Sequence, residues 1–196
     1  MTAAMHRRLI LLGALAAAII AGPGAVGAQA QTPIQHSIYN QYIDPFAASG
    51  WDPSRTDMGV DWFVSRPLPV LAIGDAVILG SDSHDSGWPG RHFIWYQLLD
   101  GSHAGDIIYV AEHLKHLLPA GVHVHAGQKI AEALPGGTGT EWGWGEADGA
   151  TRANPCYHEG EVTRSGREMA RFMQSLGAQV AERPGHGPDA PFGNLC

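Results

Sequence analysis

Residues 109–144, YVAEHLKHLLPAGVHVHAGQKIAEALPGGTGTEWGW, decide how the rest of the chain is read. Tyr109, Val110 and Ala111 have the β-branched and aromatic character of a strand, which ends by delivering Glu112 and His113 to its edge. Residues 122–130 supply short apolar runs on either side of Gly127, a strand, a tight turn and a return strand. Residues 136–145, with glycines at 136, 137, 139, 143 and 145, read as irregular chain. Charged groups at strand ends beside such a loop are where a site would form.

Working outward, residues 67–80 (PLPVLAIGDAVILG) give two short β-rich pieces broken at Gly74-Asp75, and residues 91–99 (RHFIWYQLL) give a strong strand. The Asp100-Gly101 turn leads to a further strand over residues 106–112. Val70-x-Ala72-x-Gly74 followed by Val77 is echoed by Val124-x-Ala126-Gly127 followed by Ile130, as expected of a small sandwich built from two related β-hammerheads. The pattern predicts a mainly β fold, an antiparallel β-sandwich. One C-terminal amphipathic α-helix is expected after it: Ser165-Gly166-Arg167-Glu168 reads as a capping box, and Met169, Phe172, Met173, Leu176 and Val180 recur at helical spacing up to Gly177.

The ends have a different character. Arg7 and Arg8, an apolar run over residues 9–20 and Ala28-Gln29-Ala30 predict a secretory signal peptide over residues 1–30, cleaved after Ala30. Gly22-Pro23 stops the apolar run short of the roughly 20 residues a membrane span needs. Residues 31–54 carry Tyr39, Tyr42, Phe46 and Trp51 without a period, and read as an arm lying on a core of residues 55–150; residues 151–196 hold the helix and a tail. Cys156 and Cys196, late in an exported chain, predict a disulfide tying that tail down, worth at most about 4 kcal/mol. Losing Arg7 and Arg8 leaves ten basic against 19 acidic residues and moves the net charge from −7 to −9, which argues against nucleic acid or anionic lipid as the partner.

Candidate functional groups gather around the core. Asp57 and Asp61 would lie about 13 Å apart in a straight strand, but Gly59 between them permits a bend that brings both to one place. Arg55, Trp62, Trp142 and Trp144 are candidate ligand-binding residues beside these acids, the tryptophans as flat apolar surfaces with a polar edge. Glu112, His113 and Glu141 are candidate catalytic groups, with a pair such as Glu112 and Glu141 able to divide acid and base roles. His123-Val124-His125 places two histidines on one strand face and reads as exposed surface. A biotin- or lipoate-type carrier is excluded, because the turn positions read Gly74-Asp75 and Gly127-Gln128, and Lys129 lacks flanking methionines.

Met58-Gly59-Val60-Asp61-Trp62, Pro69-Val70-x-Ala72, Tyr109 through Glu112-His113-Leu114, Val124-x-Ala126-Gly127-Gln128-x-Ile130 and Thr138-Gly139 together resemble the lysostaphin-type (LytM-like) zinc endopeptidases, over roughly residues 55–145. The resemblance implies a duplicated hybrid motif, an antiparallel β core and a role at peptidoglycan. Its zinc pattern is a histidine four before an aspartate, that aspartate, and the second histidine of a His-x-His, with another histidine assisting. On this chain Asp61 matches the aspartate and His113 the assisting histidine, while Asp57 and Glu141-Trp142-Gly143 stand where the other zinc ligands belong. The expectation is a secreted or envelope-localised, non-catalytic peptidase-like module that binds a cell-wall glycan, a wall peptide or an envelope protein. The alternative is a hydrolase of an envelope polymer, peptidase or glycoside hydrolase, with an altered carboxylate/histidine site. Asp57 and Asp61, joined by Glu141, would be metal ligands of an all-carboxylate kind suited to calcium, magnesium or manganese rather than zinc. Without such a cation, or Arg55 among them, four acids counting Glu112 would raise one another's pKa.

Overall fold

The computed structural model describes residues 42–85, 87–153, 157–158 and 160–181. The expected leader and the Cys156–Cys196 disulfide lie outside these residues. Among the described residues, ten strands and one α-helix follow one another: β1 (Trp51–Thr56), β2 (Val60–Val64), β3 (Leu68–Leu71), β4 (Ala76–Asp82), β5 (His92–Leu98), β6 (Ile107–Glu112), β7 (Leu114–Lys115), β8 (His123–Val124), β9 (Lys129–Ala133), β10 (Thr140–Gly145) and α1 (Arg164–Ser175). The fold is mainly β, as the alternating apolar pattern implies. Among the described residues no helix is long and apolar enough to cross a membrane.

All strand pairs are antiparallel. A seven-stranded sheet runs β1-β2-β10-β6-β5-β4-β8, and a three-stranded sheet runs β3-β9-β7. Val70, Ile130, Ala133 and Leu114 of the small sheet join Ile78, Ile94, Tyr96, Ile108 and Val110 of the large one in the main core. The two echoed segments supply β3 with the start of β4, and β8 with β9. Residues 42–50 add Tyr42 and Phe46 to this core before the chain enters β1, which pairs with β2 and, among the described residues, ends the sheet.

Two readings of the sequence are corrected. Residues 140–145 are not irregular: they form β10, buried at all six positions and hydrogen-bonded between β2 and β6 near the middle of the sheet. The alternation Glu141-Trp142-Gly143-Trp144 puts two tryptophans on the main core and leaves Glu141 and Gly143 on the opposite face, where glycine is required by the partner strand. A Cβ at Gly143 would overlap the ring of Tyr109, its register partner on β6. The helix cap is also displaced from the expected position. Thr163 is the N-cap, its hydroxyl accepting from the Gly166 N–H at 3.0 Å and donating to the Asp57 carbonyl at 3.0 Å. Ser165 and Gly166 lie inside the first turn, because the helix start is seated on the Asp57 backbone and a Cβ at Gly166 would overlap that carbonyl.

Met169, Phe172 and Met173 bury the apolar face of α1 against the tryptophan side of the large sheet. The helix ends in a Schellman motif: Ala178 N–H donates to the Met173 carbonyl at 3.1 Å and Gly177 N–H to Gln174 at 3.0 Å, with Gly177 at φ 103°. Gly177→Ala should therefore cost about 1 kcal/mol and lower Tm by roughly 2–4 °C, measured by thermal circular dichroism. An unchanged Tm would mean that the helix end relaxes at no cost.

Candidate functional site

The site is built where β1, β2, β10 and β6 run side by side. The turn Asp57-Met58-Gly59 joins β1 to β2; its Asp57 N–H donates to the Gly59 carbonyl at 3.0 Å, and Met58 N–H donates to Asp57 Oδ1 at 2.6 Å. Glycine is needed at 59 for space, since a Cβ there would overlap the Trp142 carbonyl oxygen and come within 2.7 Å of Glu141 Oε1. The tight turn returns the chain at once, so Asp57 at its start and Asp61 on β2 meet instead of standing a strand's length apart. Asp61 is the direct cross-strand partner of Glu141 on β10, and on the other side Glu141 faces Ala111 of β6. Three carboxylates thus converge, with oxygens of Asp57, Asp61 and Glu141 all within 4.8 Å of one another.

All three are buried, at 0, 1 and 2 % exposure. Ordinarily such a group of like charges is prohibitive in a low-dielectric interior. Arg55 of β1 relieves part of the cost, its Nε lying 2.8 Å from Asp61 Oδ2 and 3.1 Å from Asp57 Oδ2, with 29 % of its side chain exposed. Tyr157 donates to Asp57 Oδ2 at 3.1 Å, and the Tyr109 hydroxyl donates to Glu141 Oε1. Compensation is incomplete. Burial, then the charge of Asp57, hold the Asp61 carboxyl well above the usual carboxylate range despite the opposing pull of Arg55. Burial, then Asp61 and Asp57, raise Glu141 in the same way, and Tyr109 is raised by burial and by the Glu141 charge beside it.

A cleft of about 350 Å³ opens on this cluster, with Arg55, Asp85, Trp88, Glu112, Glu141 and Tyr157 in its lining. Glu112, at the end of β6, is buried and takes φ 85°, a left-handed conformation rare for a side chain of its kind. Trp88 forms an aromatic wall, stacked on Phe93 with ring centroids 5.7 Å apart and tilted against Tyr109 at 5.5 Å.

Of the residues singled out from the sequence, the fold brings Arg55, Asp57, Asp61, Glu112 and Glu141 to this one place. His113 is half-buried, packs its ring against Gly136, and is absent from the lining of the cleft. The tryptophans lie on the other face of the sheet. Trp62 stacks on Phe46 at 3.6 Å and donates to the Gln179 carbonyl; Trp142 meets both rings edge-on; Trp144 packs against His103 and Phe172. All three are core residues here, because odd positions of β10 face the carboxylates and even positions the core. His123 and His125 are exposed, as expected of surface histidines. Sequence reasoning missed Tyr109 and Tyr157 as partners of the carboxylates. The alternation of Tyr109 and Ala111 on β6 is the available signal for the first.

The zinc implied by the sequence resemblance does not fit these residues. Asp57 stands in place of one nitrogen ligand, and the space above Gly143, where the other histidine ligand would project, is filled by the Tyr109 ring. Among the described residues, no histidine or cysteine joins the cluster.

No family model matches the chain, and no curated protein matches it. Among solved structures, the NMR solution structure of lysostaphin superposes on 75 % of this chain and 61 % of that one, with a TM-score of 0.47 and 20 % sequence identity. The chain therefore spans less than two thirds of the length of that structure.

Proposed function

We propose that this protein is a secreted, peptidase-like module of the cell envelope that binds a wall glycan or wall peptide in the cleft beside Glu112 and Glu141, without zinc peptidase activity. The observation that carries this reading is the filling of the zinc positions from within: Arg55 bridges the two aspartates, and Tyr109 occupies the space over Gly143. A concave, acid-lined cleft with an aromatic wall suits recognition of a polar polymer, whose hydroxyl, amide or ammonium groups can donate to carboxylates while an apolar face lies on Trp88. The envelope as location rests on the signal-peptide pattern of residues 1–30 and on the motif resemblance of residues 55–145.

The test is co-sedimentation of the purified protein with peptidoglycan, alongside analysis of the soluble fraction. Saturable binding, weakened about tenfold by Trp88→Ala, with nothing released in added zinc, is the expected result. Release of peptide fragments that depends on zinc would overturn it.

A second reading, an altered hydrolase, is favoured by one observation: Glu141 carries a buried carboxyl with a raised pKa on the wall of the cleft, the property of a general acid. Glu112 would then be the partner carboxylate. New reducing ends appearing in the same incubation, and lost in Glu141→Gln, would select this reading.

A further inference from the structure

The buried carboxylates present a charge problem. Asp57, Asp61 and Glu141 bring three acids together, and Arg55 brings one guanidinium. Asp61 Oδ1 is buried and, among the described residues, has no hydrogen-bond partner, although Oδ2 of the same carboxyl is held by Arg55. A buried acceptor left without a donor is costly, and here, inside a cluster of three carboxylates, a cation would satisfy it.

The dimensions say what would fit. The centre of a triangle whose sides are 4.8 Å (4.8 divided by √3) lies about 2.8 Å from each corner, so a central ion sits at most about that far from the three oxygens. Calcium takes oxygen at about 2.3–2.6 Å in flexible geometry, a distance reached by small side-chain adjustments, whereas magnesium demands about 2.0–2.1 Å and a near-ideal octahedron. The donors are all carboxylate oxygens, a hard set that selects such cations and disfavours zinc and copper. Calcium also needs more oxygens than three side chains give monodentately. Glu141 belongs both to the cluster and to the wall of the cleft, so the remaining positions face the cleft and its contents.

We infer that Asp57, Asp61 and Glu141 form a calcium site in which Arg55 is the resident competitor for the metal. The guanidinium holds both aspartates from one side, while 29 % of its side chain reaches solvent, giving it a route out of the cluster. Two chemically distinct cations then compete for the same pair of aspartate carboxylates: a monovalent planar one that is covalently attached, and a divalent spherical one from the medium. Such a site responds to calcium concentration instead of holding the ion permanently. This inference does not rest on the wall-binding reading, although a cation there would give a bound polymer hydroxyl or carbonyl oxygen a ligand position.

The experiment is calorimetric titration of chelator-stripped full-length chain with calcium alone, with near-ultraviolet circular dichroism to show that each variant is folded. The expected result is one calcium per chain. Asp61→Asn, which keeps shape and removes charge, should weaken binding at least about tenfold. Arg55→Gln should tighten it about tenfold or more, because the competitor is gone. A merely structural arginine gives the opposite outcome, since its loss would loosen the cluster and weaken binding. Absence of calcium binding by both the parent and a folded Arg55→Gln overturns the inference, as does weaker binding by Arg55→Gln. If Arg55→Gln does not fold, Arg55→Lys replaces it, and unchanged or weaker calcium affinity there counts against the proposal, because lysine cannot span both aspartates. Peptidoglycan is absent throughout, so failure here leaves the co-sedimentation result standing, and the reverse.

Discussion

Gly143→Ala is expected to lower Tm by roughly 6–12 °C, the consequence of about 3 kcal/mol of overpacking in a strand buried on both faces. The added methyl would overlap the Tyr109 ring, which is fully buried and held at its hydroxyl by Glu141. Neither can withdraw cheaply: β10 is hydrogen-bonded on both sides, and the ring is packed between Trp88 and Phe93. Tyr109→Ala alone should also be costly, by about 3–5 kcal/mol, because it empties a large volume. The two changes together should cost clearly less than their sum, with a coupling of at least about 1 kcal/mol in a double-mutant cycle read by chemical denaturation. Strict additivity would mean that Tyr109 does not fill the space above Gly143, and the account of why zinc cannot be held there would fall with it.

The same pair shows how far the sequence carries. Strands β3 to β6 are legible because their residues are β-branched or aromatic and their breaks are glycine or Asp-Gly turns. The helix is legible from Met169, Phe172 and Met173 at helical spacing. Strand β10 is not, since glycine at 143 and 145 is the local signature of a loop, and the reason for it lies on β6, more than thirty residues away in sequence. The helix cap is hidden for a similar reason. Thr163 is chosen over Ser165 by its bonds to the Asp57 backbone, a tertiary contact. A local pattern reports what a segment prefers alone, and these two positions are decided by what they touch.

In the candidate site, the Asp57/Asp61 spacing with Gly59 between them announces a turn, and the structure has one, though glycine is required there by the nearness of the β10 backbone at Trp142 and of the Glu141 side chain rather than by its backbone angles. The three tryptophans sit next to the carboxylates in sequence and on the opposite face in space, because β2 and β10 alternate their side chains. Proximity in sequence within a strand is thus a poor guide to a shared site. Parity is a better one, since Glu141, Asp61 and Ala111 share a register row on one face.

Chelator-treated protein is expected to lose stability as pH rises from about 4 toward neutrality, the reverse of ordinary acid denaturation. Asp61 and Glu141 have folded-state pKa values raised well above those of the unfolded chain, chiefly by burial and then by neighbouring carboxylates. Between the unfolded and folded values the native state binds more protons than the unfolded state, so the unfolding free energy falls with increasing pH. Their favourable contribution is complete below the unfolded values near 4 and is lost as pH climbs through the raised ones, at up to about 1.4 kcal/mol per pH unit for each group. Glu141→Gln should flatten this profile. It keeps an oxygen to accept the Tyr109 hydroxyl and removes the charge, so it should match the parent at about pH 4 and exceed it at pH 7. Thermal melts across that range in chelating buffer make the comparison. A Glu141→Gln curve parallel to the parent, or below it at neutral pH, would show that the Glu141 charge costs nothing beside Arg55, and the uncompensated charge that gives a cation its reason to bind would be missing.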